Sequence, residues 1–387
     1  MRRLLRSGLS WALPSDASAL TPLTPLVDSS CANVVTCPRG ELTRAALEEL
    51  FAHRCCAVRV PGFYPKASAR IMRERLLHSD QRTNWSVADP QRGLESSDVE
   101  SVGTPLTVAL AGGHGNNFGS GIERRNGDSI GNGSASEMHG DDESRHNVDS
   151  DQRGGAASVP PQRTAMQQYF QDAKDLTYYL RTGTSRRRNA AAGVLDTNDV
   201  AHASSTSKSN ALPLMMTPMD KLCLELDACW PGGAGPNRDE ASGEQLLAGA
   251  GRIMHPRGSN NPGFCHVDDI AVMKEMSGTF SANVYLQTPP PGCGGELHIW
   301  PLRVASRWDF YRHAASLSLL LTQEQWAQDA LRRVLPPPVS LEPREGELIL
   351  ICAQRPHAVA GFDAGLRVSM QAFVNADGEG KRLTLDS

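Results

Sequence analysis

A mainly β domain, a sandwich of short strands braced by helices on one side, is the fold class this sequence predicts. Three observations carry that expectation. Short apolar runs bounded by Gly and Pro crowd the region after Gly251. Amphipathic runs with a 3.6-residue period dominate the folded parts before it. Two polar, small-residue stretches interrupt the helical part without any period. Helices first and strands afterwards are the order expected of a sheet core with helices packed against it.

Residues 1–38 read as a leader. MRRLLRSGLSWALPS carries Arg2, Arg3 and Arg6 and no acid before Asp16, a composition shared with mitochondrial transit peptides. A cytoplasmic location is the reading taken, with a mitochondrial one as the alternative. From residue 39 to 387 we expect one catalytic domain. Its helical part covers 39–111, 162–182 and 211–250. Ala46, Leu47, Leu50 and Phe51 recur at helical spacing, AVRVPGFYP supplies a short strand and a Pro-Gly turn, and a helix over 67–77 presents Ile71, Met72 and Leu76. About 112–161 and 183–210 the sequence has too few apolar residues to offset the entropy of ordering, so both stretches are expected to be disordered insertions. Between them MQQYFQDAKDLTYYLR aligns Phe170, Ala173, Leu176 and Leu180, and MDKLCLELDACW repeats Leu222, Leu226 and Cys229. The strand-rich core spans about 251–378, with strands at 281–288, 295–300, 346–353 and 366–374 and one helix at 322–335 ended by three prolines.

The net charge of −4 offers no basic field for nucleic acid, and Arg186, Arg187 and Arg188 sit in a polar linker. No apolar run approaches the length of a membrane span. Nine cysteines without a CxxC pair do not form a disulfide scaffold, and a reducing compartment suits them.

The chemistry concentrates in CHVDD. On extended backbone, His266 and Asp268 point to one face, so an imidazole and a carboxylate reach the same metal. RPHAVAGF supplies a second histidine, His357. Two His and one carboxylate leave open coordination positions, the arrangement used by non-haem Fe(II) oxygenases. Taken alone, HxD is a common chance pattern. The strand LRVSMQAFV strengthens it, because Arg367, Ser369 and Gln371 share one face and Val368, Met370 and Ala372 the other. Arg367 turned inward needs a buried anion, and a dicarboxylate with one end on Arg367 and a hydroxyl bond from Ser369 would meet that need.

The order His266-x-Asp268, then His357 followed ten residues on by Arg367 in Arg-Val-Ser, resembles the 2-oxoglutarate/Fe(II) dioxygenases. NVYLQTPPPGCGGELHIW resembles the strand and Gly-Gly-Glu strand that follow HxD in prolyl-hydroxylase-like members, and the resemblance covers about 251–375. It implies a double-stranded β-helix (jelly-roll) fold and Fe(II) held by His266, Asp268 and His357. It implies 2-oxoglutarate as cosubstrate with its far carboxylate on Arg367 and Ser369, O2 as co-reactant, and ascorbate as an optional reductant. The implied reaction is hydroxylation; a small molecule, a peptidyl side chain and a lipid are all open as substrate, and a small polar molecule is the reading taken. Halogenation is disfavoured, because related halogenases replace the carboxylate ligand and Asp268 is intact.

Asn283 and Tyr285 alternate on the strand after HxD and are further candidates to hold 2-oxoglutarate. Asp269 alternates away from the metal, and His298 is either a pocket residue or an ordinary core histidine. Arg252 in RIMHPRG is a candidate for a substrate carboxylate, Gly294 and Gly295 for a tight turn, and Trp300 and Trp308 for packing or the pocket mouth. Two other functions stay open on these residues: a cupin-type metal enzyme that does not use 2-oxoglutarate, and a non-catalytic jelly-roll binding protein.

Overall fold

Strands whose successive side chains turn to opposite, covered faces build the centre of this protein. The computed structural model describes residues 20–38, 40–89, 93–106, 109, 164–185 and 214–387. Thirteen strands are formed in that part: β1 (Val34–Thr36), β2 (Ala57–Val60), β3 (Arg82–Asp89), β4 (Gly93–Val102), β5 (Ala234–Pro236), β6 (Ala250–Met254), β7 (Ser277–Gln287), β8 (Leu297–Ile299), β9 (Val339–Leu341), β10 (Leu348–Cys352), β11 (His357–Val359), β12 (Arg367–Asp377) and β13 (Leu383–Asp386). The larger sheet runs β1-β2-β10-β7-β12-β6-β4-β3, with β13 on β12 and β5 on β13. The smaller sheet is β11-β8-β9, antiparallel throughout.

The two sheets face each other. Ala57, Tyr285, Ile349 and Ile351 from the larger one pack against Leu297, Ile299 and Leu341 from the smaller one. The intervening residues, among them Val58, Leu348, Leu350, Ala282, Val284, Val368 and Met370, turn to the other face. There they meet the helices Arg44–Phe51, Lys66–Leu77, Ala165–Thr182 and Pro218–Cys229 through Leu47, Phe51, Met72, Leu176 and Leu222. The result is the helix-braced jelly roll.

Several expectations need correction. The leader drawn through residue 38 is too long, because Leu23, Leu26 and Cys31 are fully or nearly fully buried and β1 pairs in parallel with β2. Helices lie on both sides. Gln325–Val334, Arg307–Arg312 and Ala314–Ser318 cover the outside of the smaller sheet through Phe310, Leu317 and Leu331, which pack on Trp300 and Ala358. The strands β3 and β4 fall inside the stretch expected to be helical and extend the larger sheet past β6. Their polar sequence, TNWSVAD, conceals them, since an edge pair buries little apolar surface. Between Trp230 and Ala250 the backbone is irregular apart from β5, where a helical part was expected. Ile71 is 46% exposed, and Ala69 takes its place on the buried face of Lys66–Leu77. The insertions at about 112–161 and 183–210 lie outside the described residues, except for 183–185.

Among the described residues no helix is long and apolar enough to cross a membrane, and all nine cysteines are free thiols. One buried ion pair ties the site-bearing strands together. Glu347 is fully buried and receives Arg59 through both oxygens, at 2.7 and 2.8 Å, while its backbone carbonyl accepts the amide of Tyr285. Glu347→Ala removes the partner of a half-buried Arg59, which keeps its bond to the Glu342 carbonyl, and is expected to cost about 1–3 kcal/mol of stability. A urea titration in which the midpoint moves by less than the equivalent of about 1 kcal/mol would show the pair to be dispensable.

Candidate active site

A single bridge brings the two histidines together. The amide of His266 donates to the carbonyl of His357 at 3.0 Å, and the amide of His357 donates back to the carbonyl of His266 at 2.9 Å. His266 is therefore on extended backbone, but in an isolated bridge rather than in the strand that the HxD pattern suggests. Two residues on, the amide of Asp268 donates to the carbonyl of Ala353 at 3.0 Å, which holds the carboxylate on the same side. Potential ligand atoms of His266, Asp268 and His357 lie within 4.8 Å of one another. Ligands about 2.1 Å from a common ion and at right angles stand about 3 Å apart, so small side-chain adjustments bring this set onto one ion.

The ring nitrogens are already assigned. Nδ1 of His266 contacts the carbonyl of Phe264 at 3.1 Å, and Nδ1 of His357 contacts the carbonyl of Arg355 at 2.9 Å. A carbonyl only accepts, so each Nδ1 carries hydrogen and each Nε2 is the ring nitrogen left for the ligand set. Those Nε2 atoms lie 3.6 and 3.3 Å from the Asp268 oxygens. The His266 ring also stacks on Phe264, with centroids 4.8 Å apart and planes 1° from parallel. Burial, reinforced by the charge of His357, pushes the His266 pKa down to about 4. Burial works against the Asp268 carboxylate, but the two imidazoles outweigh it and its pKa is lowered. Burial lowers the His357 pKa, but the Asp268 carboxylate outweighs it and the pKa is raised, so a metal that binds all three displaces any proton held between Asp268 and His357.

The larger sheet supplies a polar row on its inner face. Cross-strand partners share a face, and Gln371 lies opposite Asn283 and Ser369 opposite Tyr285. A register shift between Val368 and Ser369 leaves Leu286 unpaired on β7, and Tyr285 lies under Arg367. Arg367 is buried at 4% exposure, donates to the carbonyl of Gly295 at 2.9 Å and to the Tyr285 hydroxyl at 3.1 Å, and lies over the Tyr285 ring. It has no carboxylate partner among the described residues. Ser281 accepts from both Asn283 and Gln371 at 3.0 Å, so Asn283 stands in this row but is already engaged. Gly294 and Gly295 both have φ +90°, and a Cβ on Gly294 would lie 2.4 Å from the carbonyl of Gly361. That turn faces Gly295 toward Arg367 two residues before β8, the strand that pairs with His357. One short segment thus links the triad to the arginine.

The remaining candidates separate. His298 pairs with Ala358, so it faces the outer helices rather than the space between the sheets. Trp300 is buried and donates to the carbonyl of Pro336, which makes it a packing residue. Trp308 is 62% exposed and stacks on Tyr311. Asp269 is not one of the clustered ligands, and burial raises its pKa. Two aromatic neighbours escaped the sequence reading: Phe264 under His266, and Trp85, whose ring lies 3.4 Å below the Arg252 guanidinium. A lone Trp in a polar stretch carries no signal of that contact.

No family model matches the chain, and no curated protein matches it. Solved structures do. One is an N-substituted L-amino acid dioxygenase from Burkholderia ambifaria AMMD, 16% identical over 57% of this chain and 70% of that one, with a TM-score of 0.31. Another is SnoN, a non-haem α-ketoglutarate-dependent epimerase from nogalamycin biosynthesis, 13% identical over 86% of each chain, with a TM-score of 0.33. A third is a Pseudomonas putida prolyl-4-hydroxylase, 17% identical over 34% of this chain, with a TM-score of 0.20; this chain spans about half its length, 51%. Scores this low leave the site to be read from its own residues.

Proposed function

We propose that this protein is a 2-oxoglutarate-dependent Fe(II) dioxygenase that hydroxylates a small polar molecule or a peptidyl side chain. The observation that carries the reading is Arg367, a buried guanidinium without an anion, on the sheet that faces an open set of two histidines and one carboxylate. An inward arginine without an anionic partner is costly, and the far carboxylate of 2-oxoglutarate would relieve that cost.

Fe(II) would be held by Nε2 of His266, Nε2 of His357 and the Asp268 carboxylate. Bound there with 2-oxoglutarate, it supplies O2 activation coupled to decarboxylation of the keto acid to succinate and CO2, with hydroxylation of the substrate. The chain contributes geometry and electrostatics. Arg367, steadied by Tyr285 and the Gly295 carbonyl, fixes the far end of the cosubstrate, with Ser369 as a hydroxyl donor beside it. Phe264 keeps the His266 ring from rotating, and the carbonyls of Phe264 and Arg355 hold both imidazoles in the tautomer that binds metal. Asn283 and Gln371 line the polar row through Ser281.

A cupin-type enzyme without 2-oxoglutarate would use the same triad and leave Arg367 idle, and a binding protein would leave the triad idle as well. Anaerobic loading with Fe(II), followed by addition of O2 and labelled 2-oxoglutarate, separates them. We expect iron-dependent succinate release, slow without substrate. Iron binding without 2-oxoglutarate binding would favour the cupin reading, and failure to bind iron would overturn both enzymes.

A further inference from the structure

A second buried arginine faces the same space. Arg252 lies opposite Ser369 on β12 and Ser101 on β4, so it stands on the inner face of the larger sheet, while Ile253 and Val102 turn to the helices. It is 8% exposed, and no carboxylate pairs with it among the described residues. The nearby charge acting on it is that of Asp268, the proposed iron ligand. Its guanidinium carbon lies over the Trp85 ring, 3.4 Å from the centroid, at the point where β3 and β4 lose register between Asn84 and Ser86. A bulge is a device for re-aiming a side chain, and here it sets an indole beneath a cation.

The donors of Arg252 are divided. One terminal nitrogen donates to Ser101 Oγ at 2.9 Å, with a longer contact to the Gly251 carbonyl at 3.5 Å. Nε and the other terminal nitrogen donate to no protein acceptor among the described residues. They form one edge of the planar fork, the pair of parallel donors that matches the two oxygens of a carboxylate. Ser101 already donates its hydroxyl hydrogen to the carbonyl of Gly103 at 2.8 Å, so it adds no further donor. One cation and one two-donor edge suit a monoanion better than a phosphate, whose extra charge and third oxygen would be left unmet.

We infer that Arg252 receives a carboxylate of the substrate, and that the molecule oxidised here is a small carboxylic acid oriented by this contact. Arg252 is then the residue that sets specificity, with Trp85 as the platform that keeps its open edge turned to the site. The inference rests on the dioxygenase reading for the location of the metal, but the anion site itself does not.

The test uses the full chain loaded with Ni(II), which occupies the triad without turnover. 2-Oxoglutarate binding is measured first by calorimetry. Acetate, N-acetylglycine and benzoate, each beside its amide, are then titrated at constant ionic strength with and without saturating 2-oxoglutarate. We expect at least one acid to bind roughly tenfold more tightly than its amide, as one charge-assisted pair allows, with 2-oxoglutarate present. In Arg252→Gln that preference should fall below about twofold while 2-oxoglutarate affinity holds, and Arg252→Lys should retain part of it. No preference for any acid in the native chain, a preference that survives Arg252→Gln, or a tenfold loss of 2-oxoglutarate affinity in Arg252→Gln each overturns the assignment. The native acid–amide comparison needs no variant, so misfolding of Arg252→Gln leaves the proposal exposed to refutation. If 2-oxoglutarate does not bind at all, the dioxygenase reading fails, and the titrations without it still judge Arg252.

Discussion

His266→Ala, Asp268→Ala and His357→Ala are each expected to lose iron and abolish 2-oxoglutarate turnover while the protein stays folded. Each residue supplies one of three ligands, and no fourth His, Cys, Asp or Glu joins the cluster among the described residues. Residues that only touch a metal ligand cost about 10–100-fold in affinity when replaced, so removal of a ligand should exceed that range. The fold should survive, because the bridge between His266 and His357 is made by backbone atoms that alanine keeps. Iron content and succinate release, measured together on each variant, check this. Full iron occupancy with activity in any one variant removes that residue from the set.

Arg367→Ala is expected to weaken 2-oxoglutarate binding and leave iron binding intact. Truncating one partner of a buried, hydrogen-bonded charge pair costs about 2–5 kcal/mol, which places the rise in apparent KM above roughly tenfold. Arg367→Lys should recover only part of the loss, because an ammonium cannot donate to the Tyr285 hydroxyl, the Gly295 carbonyl and a carboxylate in one plane. A structural arginine would behave differently: its loss would lower the melting temperature and leave KM alone. A 2-oxoglutarate titration of the iron-loaded variant separates the two, and an unchanged KM would sink both the carboxylate clamp and the choice of cosubstrate.

The local part of this architecture was open to inspection in the chain itself. Alternation in LRVSMQAFV placed Val368 and Met370 in the core and Arg367 and Ser369 on the opposite, inner face, and the strand buries them that way. The 3.6-residue pattern of Phe170, Ala173, Leu176 and Leu180 matched the buried stripe of Ala165–Thr182. Such patterns are legible because a residue and its neighbours two, three or four positions away see the same surface. The strands β3 and β4 were not legible, since their place at the sheet edge depends on β6 rather than on any period of their own. The burial of Leu23 and Leu26 was equally hidden, because it is created by contacts with Trp300 and Leu302 far along the chain.

The order of residues along the chain sets the kind of chemistry: which side chains can bind a metal, and that a strand carries an arginine, a serine and a glutamine on one face. Tertiary structure alone decided which of them meet. His266 and His357 are joined by one backbone bridge, Tyr285 opposes Ser369 and lies beneath Arg367, and Trp85 meets Arg252 where β3 and β4 lose register. Each of these contacts depends on the register between strands distant in sequence. Register is set by the summed packing of two sheets and their helices, and a shift of one residue would turn every one of these side chains to the opposite face.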